Sequence, residues 1–196
     1  MSILQSGATK SLAASYDIDN SLRFDHATNP YLTRAVDNGT PTSDKIGTLS
    51  FWYKYAKIST NQVIFSGGTD TSNLTYMGPR ADDFFDFYDQ AGASLTFVTR
   101  TAMKFRDVGA WYHFCWSVDT TQGVDTDRVH LYINGSEVTS TGSLPAQDLV
   151  IQFFKSGSTQ WVSRREDVTS QACGGYLAEV NYIDGQQLLP SDFAET

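Results

Sequence analysis

The sequence predicts an all-β protein, a two-sheet antiparallel β-sandwich, and three observations carry that prediction. Apolar and polar residues alternate with a period of two in the strongest segments. Turn signals recur about every ten residues, the spacing of strands in sandwiches and barrels rather than of βαβ units. No helical pattern of about a dozen residues is sustained anywhere.

Composition agrees. The chain has 196 residues, enough for one self-sufficient core. With 40% hydrophobic and 13% aromatic residues it is too apolar to remain disordered. Only 18% of residues are charged, and Ser, Thr and Asn interleaved with aromatics fill the gap, a mixture suited to pleated sheets with polar outer faces. The acid is mostly Asp, with four Glu among 22 acidic residues, which places negative charge in turns and leaves few Glu for catalysis.

Taken in order, residues 1–20 are small and polar with little periodicity, and read as an N-terminal arm, an assembly element or a frayed terminus. Residues 21–196 read as the sandwich. Its first short segments are 21–25 (SLRFD) and 31–34 (YLTR), split by Asn29-Pro30. Residues 48–58 (TLSFWYKYAKI) put Leu49, Phe51, Tyr53 and Tyr55 on one face, the pattern of a half-buried strand. Segments 62–66, closed by Gly67-Gly68, then 73–77, 84–88 and 94–98 follow.

The clearest block is 111–119 (WYHFCWSVD), in which Tyr112, Phe114, Trp116 and Val118 form a core row. A polar loop leads to 128–135 (RVHLYING), where Val129, Leu131 and Ile133 are the buried row and Asn134-Gly135 predicts a type I′ hairpin turn. Residues 141–173 are looser. Residues 174–185 form a closing strand, and 189–193 (LPSDF) a brief helical turn with Pro190 or Ser191 at its start. The sequons at Asn38, Asn73 and Asn134 are read as turns.

The net charge of −8 offers no broad basic field, so nucleic acid is not an expected partner. No run approaches the roughly 18 apolar residues of a membrane span, and the first residues lack the basic start and apolar stretch of a secretion signal. The expectation is a soluble protein made in a cytosol. Two cysteines, Cys115 and Cys173, are too few for a disulfide scaffold and lack zinc-type spacing.

Residues 48–52, 111–119, 128–138 and 174–193, in that order, resemble the laminin-G-like, concanavalin A-like jelly-roll superfamily over nearly the whole of residues 21–193. Segments 118–135 (VDTTQGVDTDRVHLYING) and 175–196 (GYLAEVNYIDGQQLLPSDFAET) are similar to such domains in tailed-bacteriophage structural proteins. That resemblance implies a virion component, on a tail fibre, head fibre or decoration, that contacts host-surface glycans, works with other virion proteins and is a homo-oligomer. The chain departs from the family's usual closing block at Ala178, where Asp is common; Glu179 remains.

The superfamily also contains glucanases, which carry Glu-x-Asp-x-x-Glu on one strand to hold two carboxyl groups about 5–5.5 Å apart. Glu137, Glu166, Glu179 and Glu195 match no such triplet, so no enzyme is expected. A lone strand histidine such as His113 is read as packing, and His26 and His130 likewise.

Related domains often hold calcium at the sandwich rim, which makes Asp70, Asp82, Asp83 and the pair Asp125 and Asp127 candidate ligands, against the reading that they cap Asx turns. Sugar binding needs a flat aromatic for a pyranose face and planar polar groups for its hydroxyls. Tyr76, Arg80, Tyr88, Trp161, Arg164 and Arg165, read as loop residues, supply those types. Trp161 stands in a polar stretch, and the readings of sugar platform, plug of the sandwich end and oligomer contact remain open for it. Arg164-Arg165 suits an anionic glycan or a solvated pair.

Overall fold

A computed structural model describes residues 18–34, 40–165 and 171–193. Most of the arm at 1–20, together with Asn38, Glu166 and Glu195, lies outside these residues. Thirteen strands are found among the described residues: β1 (Leu22–Phe24), β2 (Leu32–Arg34), β3 (Ile46–Tyr55), β4 (Phe65–Asp70), β5 (Asn73–Pro79), β6 (Phe85–Ala91), β7 (Ser94–Thr101), β8 (Trp111–Asp119), β9 (Val129–Ile133), β10 (Ser136–Glu137), β11 (Ser140–Ser143), β12 (Thr159–Val162) and β13 (Gly175–Asp184). They form two antiparallel sheets, a six-stranded one in the order β1-β13-β3-β8-β9-β10 and a seven-stranded one in the order β11-β7-β6-β5-β4-β12-β2. Among the described residues helix is limited to single 3₁₀ turns such as Asp125–Asp127 and Pro190–Asp192, the latter with Pro at its start.

Aromatic rings join the sheets. Phe51 of β3 stacks on its neighbour Phe114 of β8 at 5.2 Å and meets Phe65 of β4 edge-on at 4.8 Å. Phe85 of β6 lies 4.5 Å from Phe114, and Phe87 stacks on Trp116 at 5.4 Å. All six rings are buried. Each contributes on the order of 1.5–3 kcal/mol by leaving water, and well-oriented pairs add about 0.5–1.5 kcal/mol. The rows predicted on β3, β8 and β9 are the rows observed in this core.

Gly67-Gly68 does not end a strand. β4 runs through both, because a Cβ at Gly67 would lie 2.7 Å from the Phe153 ring and glycine is what lets that ring seat against the sheet. Phe153 comes from the stretch 141–173, which is tied down from beneath. The buried Asp89 carboxylate accepts hydrogen bonds from Thr75 Oγ1 (2.5 Å), Thr96 Oγ1 (2.5 Å) and the Gln152 amide (3.0 Å), and Thr75 Oγ1 accepts from the Phe153 amide (2.9 Å). Burial raises the Asp89 pKa, and these donors oppose the rise.

β8 is buried on both faces, with His113, Cys115 and Ser117 as inaccessible as the core row. The segment after β13 folds back over the outside of the six-stranded sheet, where Thr48 Oγ1 donates to Gln186 O (2.7 Å) and accepts from the Leu188 amide (2.9 Å). Ser50 Oγ bonds His113 Nε2 at 2.8 Å, and the Trp52 ring lies 5.0 Å from the imidazole. Burial pushes both thiols up to about 12, which leaves Cys115 and Cys173 as packing residues. Asn134 and Gly135 both have positive φ, +50° and +78°, as a type I′ turn requires.

Phe114→Ala is expected to lower unfolding free energy by about 3–5 kcal/mol in urea titrations, since the cavity it leaves opens onto both sheets. His113 gives a pH dependence. Burial depresses its pKa below the ordinary 6.5, so its neutral form contributes stability above that value, and the contribution is lost as pH falls. Urea midpoints should therefore drop as pH is lowered through and below 6.5 in the native chain, with a shallower drop in His113→Gln.

Candidate functional site

The pleat fixes which side chains reach the outer face of the seven-stranded sheet. Phe65, Met77 and Phe87 point into the core, so their neighbours Ser66, Tyr76 and Tyr88 point out. Register aligns these three, with Ser66 opposite Tyr76 and Tyr76 opposite Tyr88. On the other side Ser66 faces Trp161, which in turn faces Thr33 of β2. One row across five strands thus runs Thr33, Trp161, Ser66, Tyr76, Tyr88.

The rings are unequally open. Tyr76 is 8% exposed and stacks on Tyr88 at 4.5 Å, forming with Val63 and Leu74 a small cluster separate from the core. Tyr88 and Trp161 are half-buried. Tyr76 and Tyr88 therefore stand on the strands that the sequence placed at 73–77 and 84–88, and Trp161 on a strand within the stretch read as looser, so none of the three is the loop residue that its sugar-binding assignment supposed.

Arginines cover the row. After β12, Ser163 takes a φ of +65°, and Ser66 Oγ donates to Arg164 O at 2.6 Å, which holds the turning chain against the outside of β4. Arg165 then lies over the Tyr76 ring at 4.9 Å, and Arg164 over Tyr31, which precedes β2, at 4.5 Å. Arg80, from the turn between β5 and β6, approaches Tyr76 at 5.9 Å. Arg100 grips Asp86 through two bonds of 2.7 and 2.9 Å and reaches Asp82 at 3.0 Å. All six proposed sugar-contacting residues are thus brought to one face. Sequence reading missed Tyr31 and Ser66, whose relation to Trp161 exists only in the sheet register.

The candidate calcium ligands do not converge. Asp70 closes the β4–β5 hairpin, with its Oδ1 accepting from the Ser72 amide (2.7 Å) and the Asn73 amide (3.0 Å), and both oxygens from Asn73 Nδ2. These bonds lower its pKa, led by the one from the Asn73 side chain. Asp83, buried at a φ of +68°, accepts from the Ser59 amide and pairs with Arg106 at 2.7 Å; the Arg106 hydrogen bond is the main cause of its lowered pKa. Asp82 is taken by Arg100, while Asp125 caps the Thr126 amide in an exposed 3₁₀ turn. The residues present do not fit a calcium site at these positions, and among the described residues no group of three His, Cys, Asp or Glu could hold a metal.

Histidines and glutamates are scattered as well. His130 pairs with Glu137 at 2.6 Å, and His26 Nδ1 bonds Ala172 O. Glu179 sits with φ +48° in a bulge of β13 between Ala178 and Asn181.

A family model described as the concanavalin A-like lectin/glucanases superfamily matches residues 15–187. The chain belongs to that superfamily. Its fold is shared with the heptameric SAP-like pentraxin of Limulus polyphemus (TM-score 0.58, 19% identity, 83% of this chain and 74% of that one). It is shared too with domain 4 of AbnA, a GH43 extracellular arabinanase of Geobacillus stearothermophilus solved in complex with arabinotriose (0.57, 18%, 85% and 88%). The mouse laminin α1 LG4-5 domains align at a TM-score of 0.61 with 10% identity, over 87% of this chain and 43% of that one. At these identities the shared property is the lectin-type sandwich. No curated protein matches the chain by sequence.

Because the candidate acids are occupied by hydrogen bonds and arginines, melting temperatures in calcium and in EDTA should coincide. An ion bound at a hundred times its Kd would add about 2.7 kcal/mol and separate the two curves.

Proposed function

We propose that the protein is a non-enzymatic carbohydrate-binding module that takes glycans on the outer face of its seven-stranded sheet. The observation that carries this reading is the alignment of the half-buried rings Trp161 and Tyr88 in one cross-strand row, with buried Tyr76 between them and arginines beside it. Flat rings accept the apolar face of a pyranose, and planar guanidinium groups bond its hydroxyls. The arabinotriose complex of an arabinanase domain with the same fold supports the assignment. The non-enzymatic reading draws on the state of the carboxylates on this face. Asp86 and Asp82 are both ion-paired with Arg100, whereas glycoside hydrolysis needs one acid and one nucleophile or base flanking the bond.

The wording of residues 118–135 and 175–196 extends the proposal to a bacteriophage virion protein that contacts host-surface glycans. There a homo-oligomer would multiply weak single-site affinity. The segment 1–20 is then the arm that joins it to other virion proteins.

A second reading, a decoration or assembly subunit without sugar binding, is favoured by one feature. Between β1–β13 and β2–β12 the sandwich margin opens into an apolar groove of about 480 Å³, flanked by exposed Leu22, Leu32 and Val180 beside two strand edges.

A glycan array separates the two. Trp161→Ala and Tyr88→Ala should each reduce retention about tenfold, the loss of one aromatic platform, while melting temperature changes little. Unchanged retention in both variants, or no retention by the native chain, rejects the sugar site and leaves the assembly role.

A further inference from the structure

We propose that this face selects glycans carrying an anionic substituent, a carboxylate or a sulfate, and that Arg164 is the residue that reads it. The inference rests on the reading of the outer face as a glycan site and adds its ligand class.

The chain as a whole is acidic, with a net charge of −8, yet this face gathers Arg80 and Arg165 over Tyr76, Arg164 over Tyr31 and Arg100 over Phe84. The carboxylates Asp86 and Asp82 offset part of this charge, since both pair with Arg100 and Asp86 also lies near Arg80, but no described carboxylate pairs with Arg164. Arg80 approaches Asp86 only at 3.5 Å, on the same oxygen that already accepts from Arg100 Nη2 at 2.9 Å.

Arg164 is the sharpest case. Its guanidinium lies over the Tyr31 ring at 4.5 Å, and its Nε is buried without a hydrogen-bond partner. A cation held against an aromatic face keeps its charge, and with Nε buried it is the two terminal Nη groups of this half-buried side chain that are left to donate to a ligand. A planar anion meets those groups with paired charge-assisted bonds, which neutral hydroxyls do not reproduce.

Geometry also fixes the approach. The Ser66–Arg164 bond anchors the Arg164 backbone at Ser66, between Trp161 and Tyr76 in the row, and from there the side chain reaches Tyr31, next to the β2 strand that pairs with Trp161. A sugar lying on Trp161 would therefore meet a cation at its edge. The ring supplies the platform and the arginine the discrimination.

The test is an array of matched pairs, each neutral oligosaccharide beside its uronate-bearing, sialylated or sulfated form, probed with the native chain and with Arg164→Gln, Arg80→Gln and Trp161→Ala. Thermal melts of each variant control for folding. The native chain should retain acidic members about tenfold more than their neutral partners, the factor expected of one charge-assisted hydrogen bond, and lose that margin at high salt. Arg164→Gln should lower retention of acidic members far more than of neutral ones, and Trp161→Ala should lower both.

Comparison of the carboxylate and sulfate arms identifies which anion is read. Equal retention of neutral and acidic members overturns the inference while the sugar-binding reading stands. An acidic preference that survives Arg164→Gln overturns the role of that residue. If no glycan is retained, both are overturned together.

Discussion

Everything on the outer face follows from the packing of one set of rings inside. Phe51 and Phe114 on one sheet against Phe65, Phe85 and Phe87 on the other fix the pleat of both, since a slip of one residue would send each ring to solvent. With Phe65, Met77 and Phe87 locked inward, Ser66, Tyr76 and Tyr88 have one place to go. The aromatic row is thus a by-product of core register. Its precision is that of the sheet, which makes it a stiffer platform than loops would provide.

That dependence explains what could be read from the sequence. Strands β3, β8 and β9 were legible because their buried rows alternate without interruption, and the Asn134-Gly135 turn because positive φ at both positions leaves few alternatives. The stretch 141–173 was not. Its two strands, Ser140–Ser143 and Thr159–Val162, are short and polar, and its fixed position comes from Asp89 and Thr75, more than 60 residues away. Gly67-Gly68 read as a stop for the same reason, since the ring that needs the missing side chain arrives from Phe153.

The site shows the same division. Residue types suited to sugar were visible in Tyr76, Arg80, Tyr88, Trp161, Arg164 and Arg165, yet only pairing of Trp161 with Ser66 makes them one surface. Tyr31 carried no signal, because its role depends on β2 lying beside β12. For the aspartates, residue type pointed two ways. Asp70 turned out to serve its own hairpin and Asp83 to brace Ser59 and Arg106, tasks for which short acidic side chains in turns are common.

The unsatisfied groups carry the remaining information. Tyr55 Oη and Trp116 Nε1 are also buried without partners, but they are neutral and sit among core rings, where the burial of a large side chain outweighs one lost bond of about 1–3 kcal/mol. Arg164 is different, since a guanidinium gains little from burial and loses more when a donor goes unpaired. Nothing in the core needs it, for it lies on the outer face over an exposed tyrosine. In the proposed reading, this costly arrangement is a place where local rules give way to function. Its position over Tyr31, on the face that carries Trp161, is what makes the arginine, in the proposed reading, a part of what the sheet presents outward rather than of what holds it together.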